Sequence, residues 1–220
     1  MLSEFRFSIG DSSVTSVLVG DRSSPVLICG PCVIESREHA LRHAAAIREI
    51  SLATGFSLVF KSSYDKANRT SAASYRGLGM EEGLKILSAV RQELKIPVIA
   101  DVHSVAEVEA VAKVVDVLQI PAFLCRQTDL IQAAARTNKP LLIKKGQFLA
   151  PADMRYVVEK ATGEGNRRVM CCERGTSFGY RELIVDFRSL TEMREFAPVI
   201  FDVTHSVQVV GGAGGSSSGA

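Results

Sequence analysis

Charged side chains follow short apolar stretches of this sequence, directly or within the next several residues, and five of them are cations. Arginine forms forked hydrogen bonds to phosphates and carboxylates, and lysine binds them as a point charge. Cations gathered in one place repel each other unless anions lie among them. The side-chain types therefore predict a site for more than one small phosphate or carboxylate. The five cations are Lys61, Lys66, Arg69, Lys144 and Arg174.

Polar groups of other types stand at equivalent positions. Asp101 and His103 follow the apolar run that ends at Ala100, and Gln119 lies at the end of the next run. Asp202 and His205 follow the last run. A single charge after an apolar run is commonly just solvated. Six runs in succession that end in polar groups favour a common site instead.

Two cysteines, Cys29 and Cys32, enclose Gly30-Pro31 directly after the first apolar run. A C-x-x-C sequence between a strand and a helix is typical of thioredoxin-like redox proteins, so a redox function stays open. Cys29 also continues the apolar run and could be a core residue. A third interpretation makes Cys32 and His205 ligands of one divalent metal ion, since thiolate and imidazole suit Zn or Fe(II).

The remaining cysteines and two histidines favour structural roles. Cys125, Cys171 and Cys172 lie in apolar stretches and are predicted to be core thiols. His39 and His43 have the i, i+4 spacing of helical metal ligands, but a solvated helix face is the simpler interpretation. An odd number of cysteines, five, favours a reducing compartment and hence a cytoplasmic protein.

The order of elements is a repeated alternation of strand and helix. Continuous apolar runs, rather than alternating ones, predict strands that are buried on both faces. Apolar residues at helical spacing lie between these runs, and Ser104 with Glu107 fits a capping box at the start of one helix. The predicted strands are 26–29, 58–60, 98–100, 115–120, 141–143, 169–172 and 199–201, and the predicted helices are 37–52, 81–94, 104–113, 129–136, 152–161 and 190–196.

Seven βα-type units in a row predict an α/β protein with the TIM (β/α)8 barrel fold. In that fold the active site lies at the carboxyl ends of the strands, which would bring the cations together. We expect one domain, 1–220, with an N-terminal β-hairpin in 1–24 and a mobile Gly/Ser-rich loop at 209–220. No eighth unit is visible in the sequence, so the natural protein is expected to be longer.

The charge and the hydropathy exclude several classes of partner. A net charge of +2 provides no general basic field for binding nucleic acid. The apolar runs are much shorter than the ~20 residues of a membrane-spanning helix, and residues 1–9 do not read as a signal peptide. We therefore expect small-molecule substrates, with neither nucleic acid nor membrane as a partner.

Five long segments resemble the sequence blocks of 3-deoxy-D-manno-octulosonate 8-phosphate synthase, also called 2-dehydro-3-deoxyphosphooctonate aldolase. They occur in the family's order and lie between residues 25 and 212. The third begins Lys144-Lys145-Gly146 and the fourth begins Glu173-Arg174-Gly175. The segments are residues 60–71, 119–129, 144–148, 173–180 and 202–208.

The resemblance implies an aldol-type transferase that condenses phosphoenolpyruvate with D-arabinose 5-phosphate and water. The products are 3-deoxy-D-manno-octulosonate 8-phosphate, used for lipopolysaccharide biosynthesis, and inorganic phosphate. It also implies the residue roles. Lys61 and Lys66 match the groups for the carboxylate and the proton of phosphoenolpyruvate, Lys144 and Arg174 match its phosphate clamp, and Gln119 lies nearby. The sugar phosphate is assigned to Asn68, Arg69 and Thr70, and the pocket to Asp101 and His103.

Two further properties follow from the resemblance. Arg126 matches a group that reaches the sugar phosphate from a neighbouring subunit, which implies a homotetramer. Cys32 and His205 match the branch of the family that needs a divalent metal, such as Zn, Fe(II) or Mn, whereas the metal-independent branch has Asn in place of Cys32. The Glu and Asp that complete the metal site in that branch are absent from this sequence.

Two other functions stay open at this point. The first is 3-deoxy-D-arabino-heptulosonate 7-phosphate synthase, a sister enzyme that uses erythrose 4-phosphate and usually has Lys-Pro-Arg where this chain has Lys66-Ala67-Asn68-Arg69. The second is a non-catalytic barrel fragment, which the missing eighth unit favours.

Overall fold

The computed structural model describes residues 5–20, 25–69, 71, 73–209 and, for the backbone, 218–219. The chain divides into two compact units. Unit 1 comprises Met1–Ala67, Arg76–Val102 and Ala106–Leu118, and unit 2 comprises Asn68–Tyr75, His103–Val105 and Gln119–Ala220. The single domain expected over 1–220 stays a prediction.

Unit 1 begins with the β-hairpin that the sequence predicts. Strands β1 (Phe7–Ile9) and β2 (Val17–Val19) pair antiparallel, with Phe7 opposite Val19. Gly10 follows β1 with a φ of 94°, a conformation that other residues rarely adopt. The parts of the predicted hairpin region at 1–4 and 21–24 lie outside the described residues.

A partly buried charge network attaches this hairpin to the rest of unit 1. Arg91 donates from Nη2 to Asp11 Oδ2 at 2.7 Å and to Asp116 Oδ1 at 2.8 Å. The buried Asp116 carboxylate also accepts the backbone N–H of Val98 at 2.9 Å. The hairpin is therefore held by charge-assisted hydrogen bonds as well as by its apolar face.

Parallel strands and helices make up the remainder of unit 1. β3 and β4 pair in parallel with Cys29 opposite Phe60, and β4 pairs with β5. Ser36 starts the first helix because its side chain accepts the N–H of His39 at 3.0 Å, and Gly55 ends it with a φ of 73°. The elements are β3 (Val26–Cys29), α1 (Arg37–Thr54), β4 (Ser57–Lys61), α2 (Met80–Leu94), β5 (Val98–Asp101) and α3 (Val105–Ala112).

Strand β6 (Val117–Ile120) begins in unit 1 and ends in unit 2. Within unit 2 the next parallel strands pair in chain order, with Leu141 opposite Val169 and Cys171 opposite Val199. The elements of this series are α4 (Thr128–Arg136), β7 (Leu141–Lys144), α5 (Met154–Thr162), β8 (Val169–Glu173), α6 (Arg188–Met193) and β11 (Val199–Phe201).

Unit 2 also contains pairs of strands that the sequence patterns do not predict. β9 (Thr176–Phe178) and β10 (Glu182–Ile184) form an antiparallel hairpin after β8. β12 (Gln208–Val209) pairs with β13 (Ser218–Gly219), so the described ends of the predicted loop at 209–220 are paired, and the rest of that loop lies outside the described residues.

The last helix begins two residues earlier than the sequence predicts and ends sooner. It spans Arg188–Met193 rather than 190–196. Asp186 accepts the backbone N–H of Arg188 at 3.0 Å, and this hydrogen bond satisfies a donor at the start of the helix.

The α/β class and the TIM-barrel type of fold are confirmed. Seven parallel strands alternate with helices along the chain, and a short antiparallel hairpin precedes them. Every residue of β5, β6, β7 and β8 is buried, as continuous apolar runs predict. β3 and β11 are only half-buried.

Candidate active site

In unit 1 a lysine and an aspartate occupy the carboxyl ends of paired strands. Lys61 is the last residue of β4, and Asp101 is the last residue of β5. Lys61 Nζ lies 3.8 Å from Asp101 Oδ2, and both side chains are mostly buried. Two of the predicted site residues are thus brought together.

Ser63 joins a third predicted residue to this pair. Lys66 Nζ donates to Ser63 Oγ at 2.9 Å, and Ser63 Oγ donates to Asp101 Oδ2 through a short hydrogen bond. Asp101 therefore neutralises Lys61 directly and orients Lys66 through a fully buried hydroxyl. Ser63 was not assigned a role from the sequence, although a hydroxyl two residues after a strand-end lysine is a signal that could have indicated it.

Tyr64 fixes the backbone of the loop that contains Ser63 and Lys66. Its hydroxyl donates to Glu107 Oε2 at 2.5 Å, and burial, together with this carboxylate, raises the pKa of Tyr64 well above its usual value. Tyr64 also lies close to α2 at its Cβ, because a Cβ on Gly83 would lie only 2.3 Å from Tyr64 Cβ. Tyr64 therefore connects the start of this loop to both α2 and α3.

Unit 2 brings together three further strand ends. Lys144 is the last residue of β7, Arg174 follows β8, and Asp202 follows β11. Lys144 Nζ donates to Asp202 Oδ2 at 2.5 Å, and His205 Nδ1 lies 2.8 Å from the same oxygen. Asp202 therefore orients two predicted site residues. The sequence placed Asp202 at a strand end but assigned it no role.

The Asp202 carboxylate is strongly held in its ionised form. Burial alone would raise its pKa, but the hydrogen bond from His205 and the charge of Lys144 outweigh burial and hold the pKa well below its usual range. Because a carboxylate only accepts hydrogen bonds, Nδ1 of His205 carries the hydrogen and Nε2 faces away from Asp202.

Arg174 lies in an environment that is suited to a residue that binds an anion. Its side chain is almost completely buried, and Nη2 donates to the backbone oxygen of His205 at 3.0 Å. Nη1 is buried and makes no hydrogen bond within the described part of the chain. Burial lowers the pKa of Arg174, and Asp202 opposes this. A buried guanidinium with an unused donor is suited to binding an anion.

The other predicted substrate residues in unit 2 differ in burial. Arg69 donates from Nε to the backbone oxygen of Tyr75 at 3.1 Å. Gln119 is buried in β6, and His103 is half-buried. Asn68 and Arg126 are exposed, and Thr70 lies outside the described residues. Their substrate roles stay predictions.

The donors expected for a metal fit in type but not in number. Asp202 behind His205 is the arrangement that orients metal-binding histidines. Cys32 in unit 1 is exposed and is not in a disulfide bond. Among the described residues no group of three or more His, Cys, Asp and Glu side chains could hold an ion. The described residues therefore do not complete a metal site.

The other cysteines and histidines are placed largely as predicted. Cys125, Cys171 and Cys172 are buried and are not in disulfide bonds, and burial raises the pKa of Cys125 and Cys171. His39 and His43 differ from the solvated face that we expected. Both residues are half-buried, and their ring centroids lie 4.1 Å apart because the two residues are one turn apart on α1.

Comparison with known sequences assigns the family. The sequence model of the DAHP synthetase I family matches residues 6–214. The chain belongs to the DAHP synthetase I family. Three of its relatives share the name 2-dehydro-3-deoxyphosphooctonate aldolase, which confirms the resemblance seen in the sequence blocks.

These relatives are similar along most of this chain. The protein of Trichlorobacter lovleyi is 58% identical over 208 residues, which cover 94% of this chain and 76% of the relative. The protein of Magnetococcus marinus is also 58% identical over 208 residues, or 94% of this chain and 72% of the relative. The protein of Azoarcus sp. is 59% identical over 196 residues, or 88% and 70%.

Proposed function

We propose that this member of the DAHP synthetase I family condenses phosphoenolpyruvate with D-arabinose 5-phosphate and water. The products are 3-deoxy-D-manno-octulosonate 8-phosphate and inorganic phosphate. The observation that carries the proposal is the buried Arg174, whose unused Nη1 lies in unit 2 with Lys144, the other predicted phosphate ligand. The names of relatives at 58% identity agree with it.

The cations of unit 2 fit the phosphate of phosphoenolpyruvate. Arg174 offers a guanidinium for a forked contact, and Lys144 offers a point charge that Asp202 holds in place. The same groups stabilise the phosphate as it leaves when the C–O bond at C2 breaks. They act on the group whose negative charge increases in that step.

The cations of unit 1 are suited to binding the carboxylate of phosphoenolpyruvate and to assisting the proton transfers of the reaction. Lys61 and Lys66 are both oriented by Asp101, the first directly and the second through Ser63. During the reaction C3 of phosphoenolpyruvate attacks the sugar aldehyde, whose oxygen gains a proton, and water adds at C2 and loses one. Holding two anions in a reactive geometry supplies much of the rate acceleration.

A paired-substrate assay tests the proposed function. Phosphate release from phosphoenolpyruvate is expected only when D-arabinose 5-phosphate is added, and at a rate at least about tenfold above that with erythrose 4-phosphate, since a polar site rejects a shorter sugar. The measurement is inorganic phosphate against time, with each sugar and with none. Equal or faster release with erythrose 4-phosphate would favour the sister reaction, and no release with either sugar would favour a non-catalytic fragment.

We also propose that the protein binds a divalent metal ion, for which Cys32 and His205 are the ligands that the sequence resemblance implies. The carboxylate behind His205 supports this proposal, and when bound such an ion would activate water or polarise a carbonyl. Cys32→Asn is expected to reduce the bound Zn, Fe or Mn to less than about half of the wild-type content, since one strong ligand is lost. Elemental analysis of purified protein measures this, with Cys29→Ser as the matched thiol control. Unchanged metal content in Cys32→Asn would refute the proposal.

Three further properties stay predictions. A role in lipopolysaccharide biosynthesis follows from the proposed product. A homotetramer in which Arg126 serves a neighbouring subunit is compatible with the exposure of that side chain. A cytoplasmic location rests on the sequence. In the described residues no helix has both the length and the hydropathy to cross a membrane.

A further inference from the structure

A fully buried ion pair in unit 2 involves the sequence neighbours of both phosphate-binding cations. Lys145 follows Lys144 and is 0% exposed, and Glu173 precedes Arg174 and is 1% exposed. Lys145 Nζ lies 3.5 Å from Glu173 Oε1. Burial lowers the pKa of Lys145, and Glu173 opposes this. Because desolvation offsets most of the attraction in such a pair, its burial is weak evidence for a role in stability.

The Glu173 carboxylate fixes the backbone on both sides of Arg174. Glu173 itself is held in β8, where its backbone oxygen accepts the N–H of Asp202 at 2.9 Å. Its Oε1 accepts the N–H of Gly175 at 2.7 Å, and its Oε2 accepts the hydroxyl of Ser189 at 2.9 Å. Arg174 thus stands between two residues that one side chain ties together.

Lys145 holds the same turn from the other side. Its Nζ donates to Thr176 Oγ1 at 3.1 Å and lies 3.5 Å from the backbone oxygen of Gly175. Its backbone N–H donates to the oxygen of Cys172 at 2.8 Å, which fixes the chain directly after Lys144. The ion pair is therefore connected to the backbone next to both cations of the phosphate clamp.

A carboxylate is needed at Glu173 for a geometric reason. Three donors converge on it: the Gly175 N–H, the Ser189 hydroxyl and the Lys145 ammonium. A carboxylate accepts from all of them at once, whereas a glutamine has one acceptor oxygen and turns its NH2 group toward a donor. A neutral replacement of the same shape consequently releases at least one of the three.

We propose that Glu173 and Lys145 are positioning residues that direct Arg174 and Lys144 toward the substrate phosphate. The identity of that phosphate, the one on phosphoenolpyruvate, rests on the proposed function. Neither member of the pair needs to contact the substrate, because each acts through the backbone of its neighbour.

Glu173→Gln tests this role through phosphate affinity. Its dissociation constant for phosphoenolpyruvate, and for inorganic phosphate alone, is expected to rise about tenfold by titration calorimetry, as misplaced donors lose charge-assisted contacts. The KM for D-arabinose 5-phosphate should stay within about twofold, because the clamp does not hold that substrate. The melting temperature is measured in parallel.

Asp116→Asn is the matched control. Asp116 is another buried carboxylate that accepts a backbone N–H and faces a cation, Arg91, but it belongs to the N-terminal hairpin network of unit 1. This variant should lower the melting temperature and leave phosphate affinity unchanged. Unchanged affinity in Glu173→Gln, with a similar loss of melting temperature in both variants, would overturn the proposal.

A milder variant keeps the test decisive if Glu173→Gln does not fold. Ser189→Ala removes only the hydroxyl that donates to Glu173 Oε2, and it is expected to raise the dissociation constant for phosphate about threefold. An unchanged constant would refute the positioning role, as would a wild-type chain that binds no phosphate.

A wild-type chain that binds phosphate but releases none from phosphoenolpyruvate in the presence of arabinose 5-phosphate would refute the proposed function alone. The comparison of variants would still decide the role of Glu173.

Discussion

Arg174→Met is expected to lower kcat/KM for phosphoenolpyruvate by about a thousandfold, because it removes a preorganised charged donor from the phosphate site. Arg174 is only 6% exposed, and its Nη1 has no hydrogen-bond partner among the described residues. Its charge is therefore available to the phosphate in the substrate and in the transition state. KM should rise together with the fall in kcat.

The thermal stability of Arg174→Met should not fall together with its activity. A buried cation costs desolvation free energy in the absence of its anion, so methionine at this position should leave the melting temperature unchanged or higher. Steady-state kinetics and thermal unfolding of the same samples measure both effects. The combination of lost activity with retained stability distinguishes a ligand from a structural residue.

Arg188→Met serves as the control for Arg174→Met. Arg188 also lies in unit 2, but its side chain is 92% exposed and pairs with Asp186 on the surface. Its replacement should change kcat/KM less than about twofold, as expected of surface substitutions. Activity of Arg174→Met within tenfold of wild type would contradict the assignment of Arg174 to the phosphate, as would a loss of activity explained by a lower melting temperature.

The positions of Lys144 and Arg174 were predictable because of the strands that precede them. Residues 141–143 and 169–172 are continuous apolar runs, and such runs end where a charge can first reach a ligand or solvent. The alternation of these runs with helical patterns was also sufficient for the TIM-barrel type of fold. The strands occur at the predicted places, with differences of one or two residues at their ends.

The partners of these cations were not predictable in the same way. Lys144 and its carboxylate Asp202 are 58 positions apart, and Lys61 and Asp101 are joined only through the pairing of β4 with β5. The sequence shows that a carboxylate stands at a strand end. Which lysine this carboxylate pairs with depends on the order and register of the strands. Local sequence patterns do not contain that information.

The hairpin of β9 and β10 was missed for a different reason. Its strands are three residues long and largely exposed, so they lack the apolar run that marks β7 and β8. Contacts with residues distant in sequence, such as the hydrogen bond from Ser177 N–H to the backbone oxygen of Gln147, hold it in place. Local propensity is a weak predictor for strands of this kind.

Asp202→Asn is expected to reduce kcat about a hundredfold without raising KM for phosphoenolpyruvate, a combination opposite to that of Arg174→Met. The carboxylate holds Lys144 Nζ at 2.5 Å and His205 Nδ1 at 2.8 Å. Asparagine has one acceptor oxygen for these two donors, so at least one side chain loses its orientation. Loss of orientation by catalytic groups lowers the rate of the chemical step.

The affinity of Asp202→Asn for phosphoenolpyruvate in the ground state should not fall, because the Asp202 side chain is itself an anion next to an anion-binding site. Its charge competes with the substrate phosphate for Lys144, and removing that charge favours anions by Coulomb attraction. Inhibition by inorganic phosphate should therefore become stronger in Asp202→Asn. Asp186→Asn, at a carboxylate that pairs with the exposed Arg188, should leave kcat and phosphate inhibition within about twofold of wild type. Unchanged kcat in Asp202→Asn, or weaker inhibition by phosphate, would contradict the proposed role of Asp202.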